Sequence, residues 1–376
     1  RDYKVTGVQT CALPILPYQE ITDTSHLTIL SPSLQKRSYG KILLKNGIKA
    51  YLISDPEAEQ SACAVAIHAG SWDDPKSHPG TADLLENMLF LGTEKYPTSN
   101  GFSSFLSDHN GLHNAYTAPN RTVYMFSVNT AHFDEGLDRF ADFFISPLLK
   151  QELIASELVN VDQEHAKNVG NDFRRAYMVA RETGHPEHPN RKFSTGNKST
   201  LEGIPAEVLK EWFSSHYSAN TIHIVIYSPT PLDTLKEKAA LFFSKIPQRK
   251  TAAKPALPPL LSAETKGHIT YIEPIKDLSI VSLFWEMPEE FTHDDTKSLD
   301  LIAYALSRGQ SRSLSRYLKQ EGLIEDLSIY PYLLGGKSKV FCVDFSLTEK
   351  GLEKKEEVIE QFFSVLHDLQ ETGVPT

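Results

Sequence analysis

The stretch TADLLENMLFLGTEKYP, from Thr81 to Pro97, predicts a helix at its start and carries the most informative spacing in the chain. Asp83 and Asn87 stand at positions i and i+4, so a helix places them on one face. This is the spacing that two ligands of one metal ion require. Glu86 comes directly before the second of the two positions.

The order of these residues matches a known catalytic arrangement, although the ligand residues differ. In zinc peptidases with the order His-x-x-Glu-His, two histidines hold the metal and the glutamate takes a proton from the zinc-bound water. Here Asp83 and Asn87 occupy the two histidine positions. The sequence therefore predicts a general base, Glu86, on a helix whose metal ligands are replaced.

A second acidic pair lies downstream in ELVNVDQEHAKN, residues 157–168. Glu157 and Glu164 are seven residues apart, which places them on one face of a helix. Glu164 is a candidate third ligand of carboxylate type. Acidic residues on a polar helix also form a solvated face, and the spacing alone leaves both interpretations open.

Composition and charge exclude several classes of protein. The 376 residues carry a net charge of −10 without any basic run, so we expect no nucleic-acid partner. No apolar stretch is long enough to span a membrane. The three cysteines have no metal-type spacing. The length favours about two domains.

The first fifteen residues are interpreted as an artefact. The segment VTGVQTCALPI, Val5 to Ile15, resembles the translation of a sequencing adapter. We therefore exclude residues 1–15 from the fold. As a result, an N-terminal signal cannot be read and the compartment stays unknown. The chain is expected to be a fragment, because it also ends abruptly.

The rest of the chain predicts α+β architecture, with two-layer units of a sheet covered by helices. Two β-rich runs flank Asn46-Gly47 and predict a hairpin, and the apolar run after it predicts a central strand. One long polar helix is expected over residues 152–182. Strands are expected in GHITYIEP, residues 267–274, and in DLSIVSLFWEMP, residues 277–288.

A weak internal repeat predicts that the two units are similar. Residues 121–144 and 338–363 both read as a strand, a turn, a Gly-Leu helix start and a helix ending in Phe-Phe. A Pro- and Ala-rich segment, residues 248–261, reads as a linker. We expect a complete first domain over residues 16–247 and a truncated second domain over residues 262–376.

Several dispersed blocks give the sequence a specific resemblance. The blocks occur in order along the chain: GSWDDP, ENMLFLGTEKYP, HNAYTAPNRT, VDQEHAKNVGND, KFSTGNKSTL, HYSAN and VIYS. Together they resemble the insulinase (pitrilysin, inverted-zincin) family of metallopeptidases. The resemblance implies a longer parent protein of four similar domains that close around a peptide-holding chamber, of which this chain matches the first and part of the second.

The resemblance also implies roles for individual residues. Glu86 matches the family's general base, Glu164 its downstream zinc ligand and Glu157 a supporting acidic residue, while the histidine ligands map to Asp83 and Asn87. Asn114, Ala115 and Tyr116 match the strand edge that pairs with an extended substrate. Phe90 and Tyr116 match aromatic positions that line the pocket near the cleaved bond.

Together, these residues predict a function for the chain. The family that it resembles depends on zinc, and the imidazole donors of that family are replaced here. Zinc is the cofactor expected for the family, but Asp83, Asn87 and Glu164 offer oxygen only, so we expect no bound zinc here. The expected function is a catalytically impaired insulinase-type homologue that binds peptides or small proteins, completed by the missing C-terminal half of the chain. The alternative is an active zinc metalloendopeptidase. Relatives suggest the bacterial periplasm or cytoplasm.

Overall fold

The described part of the chain forms two sheet-and-helix units. The computed structural model describes residues 16–22, 31–251, 253–307 and 313–373. The adapter-like segment, residues 1–15, lies outside them. Helices and strands alternate in a way that confirms the predicted α+β architecture.

The first unit is built on a seven-stranded sheet with the order β1-β2-β3-β7-β4-β6-β5. β3 and β7 are parallel, and the other neighbouring strands are antiparallel. The strands are β1 (Tyr18–Glu20), β2 (Ser38–Leu44), β3 (Lys49–Ser54), β4 (Gln60–Ile67), β5 (Leu112–Thr117), β6 (Thr122–Asn129) and β7 (Ile222–Ser228).

The local signals for these strands are confirmed. β2 and β3 form the predicted hairpin, in which Gly47 adopts a φ of 91°, a conformation that glycine reaches without strain. The apolar strand β4 is central, because β7 pairs with one edge and β6 with the other. Its residues Cys63, Val65 and Ile67 are fully covered.

Helices cover one face of this sheet. Their apolar sides and the inward-facing strand residues form one continuous core. The helices are α1 (Thr81–Met88), α2 (Gly101–Asp108), α3 (Phe133–Asp142), α4 (Gln151–Val169), α5 (Asp172–Glu182), α6 (Lys198–Leu201), α7 (Ala206–His216) and α8 (Leu232–Phe243). Among the described residues, no helix is long and apolar enough to span a bilayer.

The second unit has a three-stranded antiparallel sheet with the order β8-β10-β9 and its own core. Its elements are β8 (Ile280–Glu286), α9 (Ser298–Ser307), α10 (Leu314–Gln320), β9 (Ile324–Gly335), β10 (Ser338–Leu347), α11 (Glu349–Glu353) and α12 (Lys355–Thr372). A strand followed by helix occurs in both units, at β6–α3 and at β10–α11–α12. The predicted repeat is thus confirmed as a repeat of structure.

The prediction of one long helix over residues 152–182 is wrong. The chain forms α4 and α5, separated by Gly170 and Asn171. Asn171 is extended, and its side chain accepts a hydrogen bond from Arg174 N at 3.1 Å, which caps α5. An asparagine in this position starts a new helix because it satisfies a backbone N–H that the first turn leaves unpaired.

The predicted strand at residues 267–274 is also absent. This segment follows the linker and has no strand partner within the described parts of the chain. A β-rich pattern indicates that a segment suits a sheet, but a strand forms only when a neighbour supplies hydrogen bonds. The strand predicted within residues 277–288 is confirmed as β8.

A small apolar cluster joins the two units. Trp72 of the first unit packs with Leu260 of the linker and with Leu334 and Val340 of the second unit. Gly335 also approaches the Trp72 ring so closely that an added Cβ would lie 3.0 Å from it. The contact places the second sheet beside the segment that leads into α1.

Candidate active site

The start of α1 is fixed by a buried aspartate. Asp74 Oδ2 accepts a hydrogen bond from Gly80 N at 2.7 Å, and Asp74 Oδ1 accepts one from Ala82 N at 2.8 Å. Burial raises the pKa of Asp74 to about 7, although these two backbone N–H groups oppose the rise. Asp74 therefore fixes the residue at which α1 begins.

A loop packs tightly against the same end of α1. Gly80 has a φ of 98°, and a Cβ on Gly80 would lie 2.3 Å from the Cα of Gly196. Arg181 orders this loop from α5 and is itself buried. Its guanidinium donates hydrogen bonds of 2.6 Å to three acceptors: Asn190 O, Lys192 O and Ser194 Oγ.

The two replaced ligand positions lie where the spacing predicts. Asp83 and Asn87 are both half-buried, while Glu86 between them is buried. Asn87 Nδ2 donates a hydrogen bond to the backbone carbonyl of Asp83 at 3.2 Å, so this amide is engaged with its own helix. The face that would carry two metal ligands thus presents a carboxylate and an amide.

Glu164 is brought to this face by the packing of α4 against α1. Burial is the largest cause that raises the pKa of Asp83 well above its ordinary value, and the charges of Glu86 and Glu164 add to it. Arg174 on α5 opposes the rise. The structure therefore brings three predicted site residues, Asp83, Glu86 and Glu164, within electrostatic reach of one another.

Glu86 is held by a residue that the sequence analysis did not select. Thr117 Oγ1 donates a hydrogen bond of 2.5 Å to Glu86 Oε2. Burial raises the pKa of Glu86 to about 7, Thr117 opposes this, and Glu164 adds to it. Thr117 is the last residue of the HNAYT strand. Because side chains alternate between the two faces of a strand, Thr117 lies on the same face as Ala115. This alternation was the signal that could have placed Thr117 on the side facing α1.

The predicted substrate edge is β5, the last strand of the first sheet. Asn114 and Tyr116 are exposed on one side of the strand, and Ala115 is half-buried on the other. Phe90 is half-buried and stacks on His113 with ring centroids 4.5 Å apart. Phe90 also makes an edge contact with Phe143. Much of the Phe90 ring therefore packs within the aromatic core.

Glu157, the predicted supporting residue, lies on α4 and is half-buried. Its Oε2 accepts a hydrogen bond from Asn160 Nδ2 at 3.1 Å, a partner on the same helix. Its supporting role stays a prediction.

The donor set does not fit a zinc ion. Zinc is held in proteins by imidazole nitrogen, thiolate sulfur and carboxylate oxygen, with histidines or cysteines as the usual majority. Asp83, Asn87 and Glu164 supply oxygen alone, and the Asn87 oxygen is a neutral amide.

The family description "Insulinase (Peptidase family M16)" matches residues 49–187, which include α1, β5 and α4. The description "Peptidase M16 inactive domain" matches residues 203–376. Two matches to one peptidase family, in order and over both units, decide the family. The chain belongs to the insulinase family.

Relatives of this insulinase-family chain are much longer than the chain itself. It is 34% identical to the A-factor-processing enzyme of Saccharomyces cerevisiae over 92% of its length and 34% of the relative. It is 33% identical to Protease 3 of Escherichia coli over 92% of its length and 37% of the relative. The chain thus spans about a third of the length of the curated relatives it matches.

A solved structure supports the same assignment. The crystal structure of pitrilysin superposes with a TM-score of 0.88 at 32% identity, covering 96% of this chain and 38% of pitrilysin. Both units of the insulinase-family chain therefore resemble the corresponding part of a solved homologue.

The buried charge of Glu86 predicts a pH-dependent stability. Because the pKa is raised from 4.5 to about 7, the stabilisation from protonated Glu86 is complete below pH 4.5 and is lost as the pH rises through about 7. We expect Glu86→Gln, which cannot ionise, to raise the free energy of unfolding by about 2–3 kcal/mol at pH 8. The gain should disappear at pH 4.5. Chemical denaturation at both pH values measures it.

The matched control for this measurement is Glu157→Gln, which removes a carboxylate that bonds Asn160 on the surface of α4. We expect a change within about 0.5 kcal/mol at either pH. A Glu86→Gln variant whose stability follows that of the native chain at every pH would contradict the raised pKa.

Proposed function

We propose that this chain is part of an insulinase-family metalloendopeptidase homologue that binds peptides but is catalytically impaired. The observation that carries the proposal is the donor chemistry beside Glu86: Asp83 and Asn87 on α1 and Glu164 on α4 offer oxygen atoms and no imidazole. We assign the peptidase-like domain to residues 16–247, the linker to residues 248–261 and a partial second domain to residues 262–376.

Peptide binding is assigned to the edge of β5. An edge strand presents unpaired backbone groups that can pair with an extended peptide, while alternate side chains give specificity. Asn114 and Tyr116 project beside that edge and are exposed. The expected partners are peptides or small proteins, together with the C-terminal half of the same polypeptide.

Catalytic impairment follows from what zinc supplies in this chemistry. The metal lowers the pKa of a bound water toward neutrality and polarises the carbonyl that is attacked. Glu86 can accept a proton, but without an activated water it has no nucleophile to generate. The replaced donors at positions 83 and 87 therefore remove the step on which Glu86 depends.

One observation favours the alternative, an active peptidase. Glu86 is buried, bonded to Thr117 and has a pKa of about 7, which suits a general base near neutral pH. An active peptidase requires that the complete protein restores the metal site or tolerates the replaced ligands at positions 83 and 87.

The test combines zinc analysis, cleavage and binding on the purified chain. We expect no stoichiometric zinc by elemental analysis and no cleavage of a fluorogenic peptide, together with saturable peptide binding by calorimetry. Tyr116→Ala should weaken binding by about ten-fold, since an exposed aromatic beside the edge contributes on the order of 1–2 kcal/mol. Tyr317→Ala is the matched control, because Tyr317 on α10 is 42% exposed and Tyr116 is 44% exposed.

Two results would overturn the proposal in different ways. Cleavage that a chelator abolishes and that Glu86→Gln removes would establish the alternative. Absence of both binding and cleavage would remove the peptide-binding role itself.

A further inference from the structure

A buried histidine lies where the two units of the chain meet. His188 is 2% exposed, and its ring makes an edge contact with Trp72 at a centroid distance of 4.9 Å. Trp72 packs against one residue of the linker and two of the second unit, and we call this packing the Trp72 contact: Leu260, Leu334 and Val340. His188 therefore lies against the aromatic ring that joins the two units.

One hydrogen bond fixes the protonation state of His188. Its Nδ1 accepts a hydrogen bond from Asn190 N at 3.0 Å and so caps the 3-10 turn Pro189–Arg191. A ring nitrogen that accepts carries no proton, so we assign the proton of the neutral imidazole to Nε2. Within the described residues, this Nε2 has no hydrogen-bond acceptor. The surroundings of His188 therefore suit a neutral ring.

Asn190 connects this hydrogen bond to the Trp72 contact. Its side-chain Oδ1 accepts a hydrogen bond from Trp72 Nε1 at 3.3 Å. Its backbone oxygen accepts one from Arg181 Nε at 2.6 Å. A change at His188 Nδ1 therefore acts directly on the residue that orients Trp72.

The same loop and β8 both hold the linker. His185 N donates a hydrogen bond to Leu260 O at 2.8 Å. The carboxylate of Glu286, the last residue of β8, accepts hydrogen bonds from Leu260 N at 2.7 Å and from Leu261 N at 3.1 Å. The amides of Leu260 and Leu261 therefore report whether the linker stays attached to the second unit.

We propose that His188 is a pH-sensitive switch at the Trp72 contact, and that protonation of His188 loosens the packing of the two units. A second proton on the ring occupies Nδ1 and changes it from an acceptor into a donor. Two donors then face each other, so the hydrogen bond from Asn190 N is lost and Asn190 no longer holds Trp72 in place. The switch does not involve the β5 edge.

The charges around His188 give the direction of the effect. Burial lowers the pKa of His188 from 6.5 to about 4, the charge of Glu286 opposes this, and His185 adds to the lowering. Because the pKa in the intact contact lies below its ordinary value, the stabilisation is complete above pH 6.5 and is lost as the pH falls toward 4. Acid therefore favours the loosened state.

The segment before α1 adds two carboxylates and a cation near this loop. Asp73 forms an ion pair of 3.0 Å with Lys254. Lys192 Nζ donates a hydrogen bond to Asp74 O at 3.0 Å. Burial raises the pKa of Asp74 to about 7, so the stabilisation from protonated Asp74 is lost as the pH rises. Asp74 thus has the opposite pH dependence and does not cause loosening in acid.

Hydrogen exchange between pH 8 and pH 5 tests the switch in the intact chain. We expect the opening constant, taken from the protection factors of the Asn190, Leu260 and Leu261 amides, to rise by roughly 10–30-fold over this range. The amides of β4, in the centre of the first sheet, should keep their protection. This pattern distinguishes a loosened contact from unfolding of the whole chain.

His188→Asn is the test variant. Asparagine is a favoured N-cap residue, so it can still accept a hydrogen bond from Asn190 N, but it does not titrate. The opening constant of this variant should be the same at both pH values. His185→Asn is the matched control, because His185 Nδ1 also accepts a backbone hydrogen bond, from Glu187 N at 3.2 Å, but does not cap the turn that contains Asn190. The control should keep the native pH dependence.

A second measurement needs no variant. The ring signals of His188, followed by NMR as the pH is lowered in the native chain, should titrate well below the ordinary pKa of 6.5. A midpoint at 6.5 or above would overturn the proposal.

Three exchange results would also overturn the proposed switch. The first is native protection at Asn190 that does not change with pH. The second is a His188→Asn variant that keeps the native pH dependence. The third is an equal loss of protection in β4, because the whole chain would then unfold. Peptide binding at β5 is measured at one pH and does not depend on any of these results.

Discussion

Placing histidines at both positions, in Asp83→His/Asn87→His, should raise the affinity of the chain for zinc strongly. Structural sites with four ligands bind zinc with about 10–16 kcal/mol, or roughly 2.5–4 kcal/mol per ligand. Two imidazoles beside Glu164 should therefore raise the affinity by on the order of 10³-fold or more. Both positions are half-buried on one face of α1, and α1 packs against α4, which carries Glu164.

The measurement is competition with a zinc chelator of known affinity, read with the native chain in parallel. Each single histidine variant should gain only part of the affinity, because one imidazole and one carboxylate leave zinc largely hydrated. Adding Glu164→Gln to the double variant should remove most of the gain. A native chain that binds zinc as tightly as the double variant would show that the oxygen donors suffice.

Substituting Gly80 by Ala should cost most of the stability of the first unit. Alanine is strained at a φ of 98°, and its Cβ would lie 2.3 Å from the Cα of Gly196. The backbone conformation costs about 1–2 kcal/mol, and a clash between two main chains adds more, so we expect a loss of about 4 kcal/mol or greater. Chemical denaturation followed by circular dichroism measures it.

Gly203→Ala provides the matched control. Gly203 also has a positive φ, 75°, but nothing lies within 4 Å of its added Cβ. This variant should lose about 1 kcal/mol from the backbone conformation alone. If both variants were equally destabilised, the close packing of the Gly196 loop against α1 would not be what fixes the helix.

Local signals predicted the elements that depend on neighbouring residues in the sequence. The Asn46-Gly47 turn, the central strand β4 and the helix at Thr81 all occur where the pattern places them. The helix predicted at the start of the stretch Thr81–Pro97 ends at Met88, and a 3-10 turn over Leu89–Leu91 follows it. The break between α4 and α5 was readable as well, since Gly170-Asn171 carries the residues that end one helix and cap the next.

Features that depend on distant residues could not be read in this way. The hydrogen bond from Thr117 to Glu86 joins a strand and a helix that are 31 residues apart. Residues 268–275 form no strand because no strand within the described residues lies beside them. A β-rich sequence has the same pattern whether or not such a neighbour is present. The i,i+4 spacing of Asp83 and Asn87 placed both on one face of α1, because such neighbours share a face in any helix, whereas the approach of Glu164 depends on the packing of α4 against α1.

The anchors of α1 are separate from the face that carries Asp83 and Asn87. Asp74 fixes the first turn through Gly80 and Ala82, and Gly196 closes over the same end. None of these contacts involves positions 83 or 87, so their side chains can change while the helix keeps its place. A protein with this architecture can lose its catalytic residues by mutation and still keep its fold. Selection can then act on the neighbouring β5 edge for peptide binding alone.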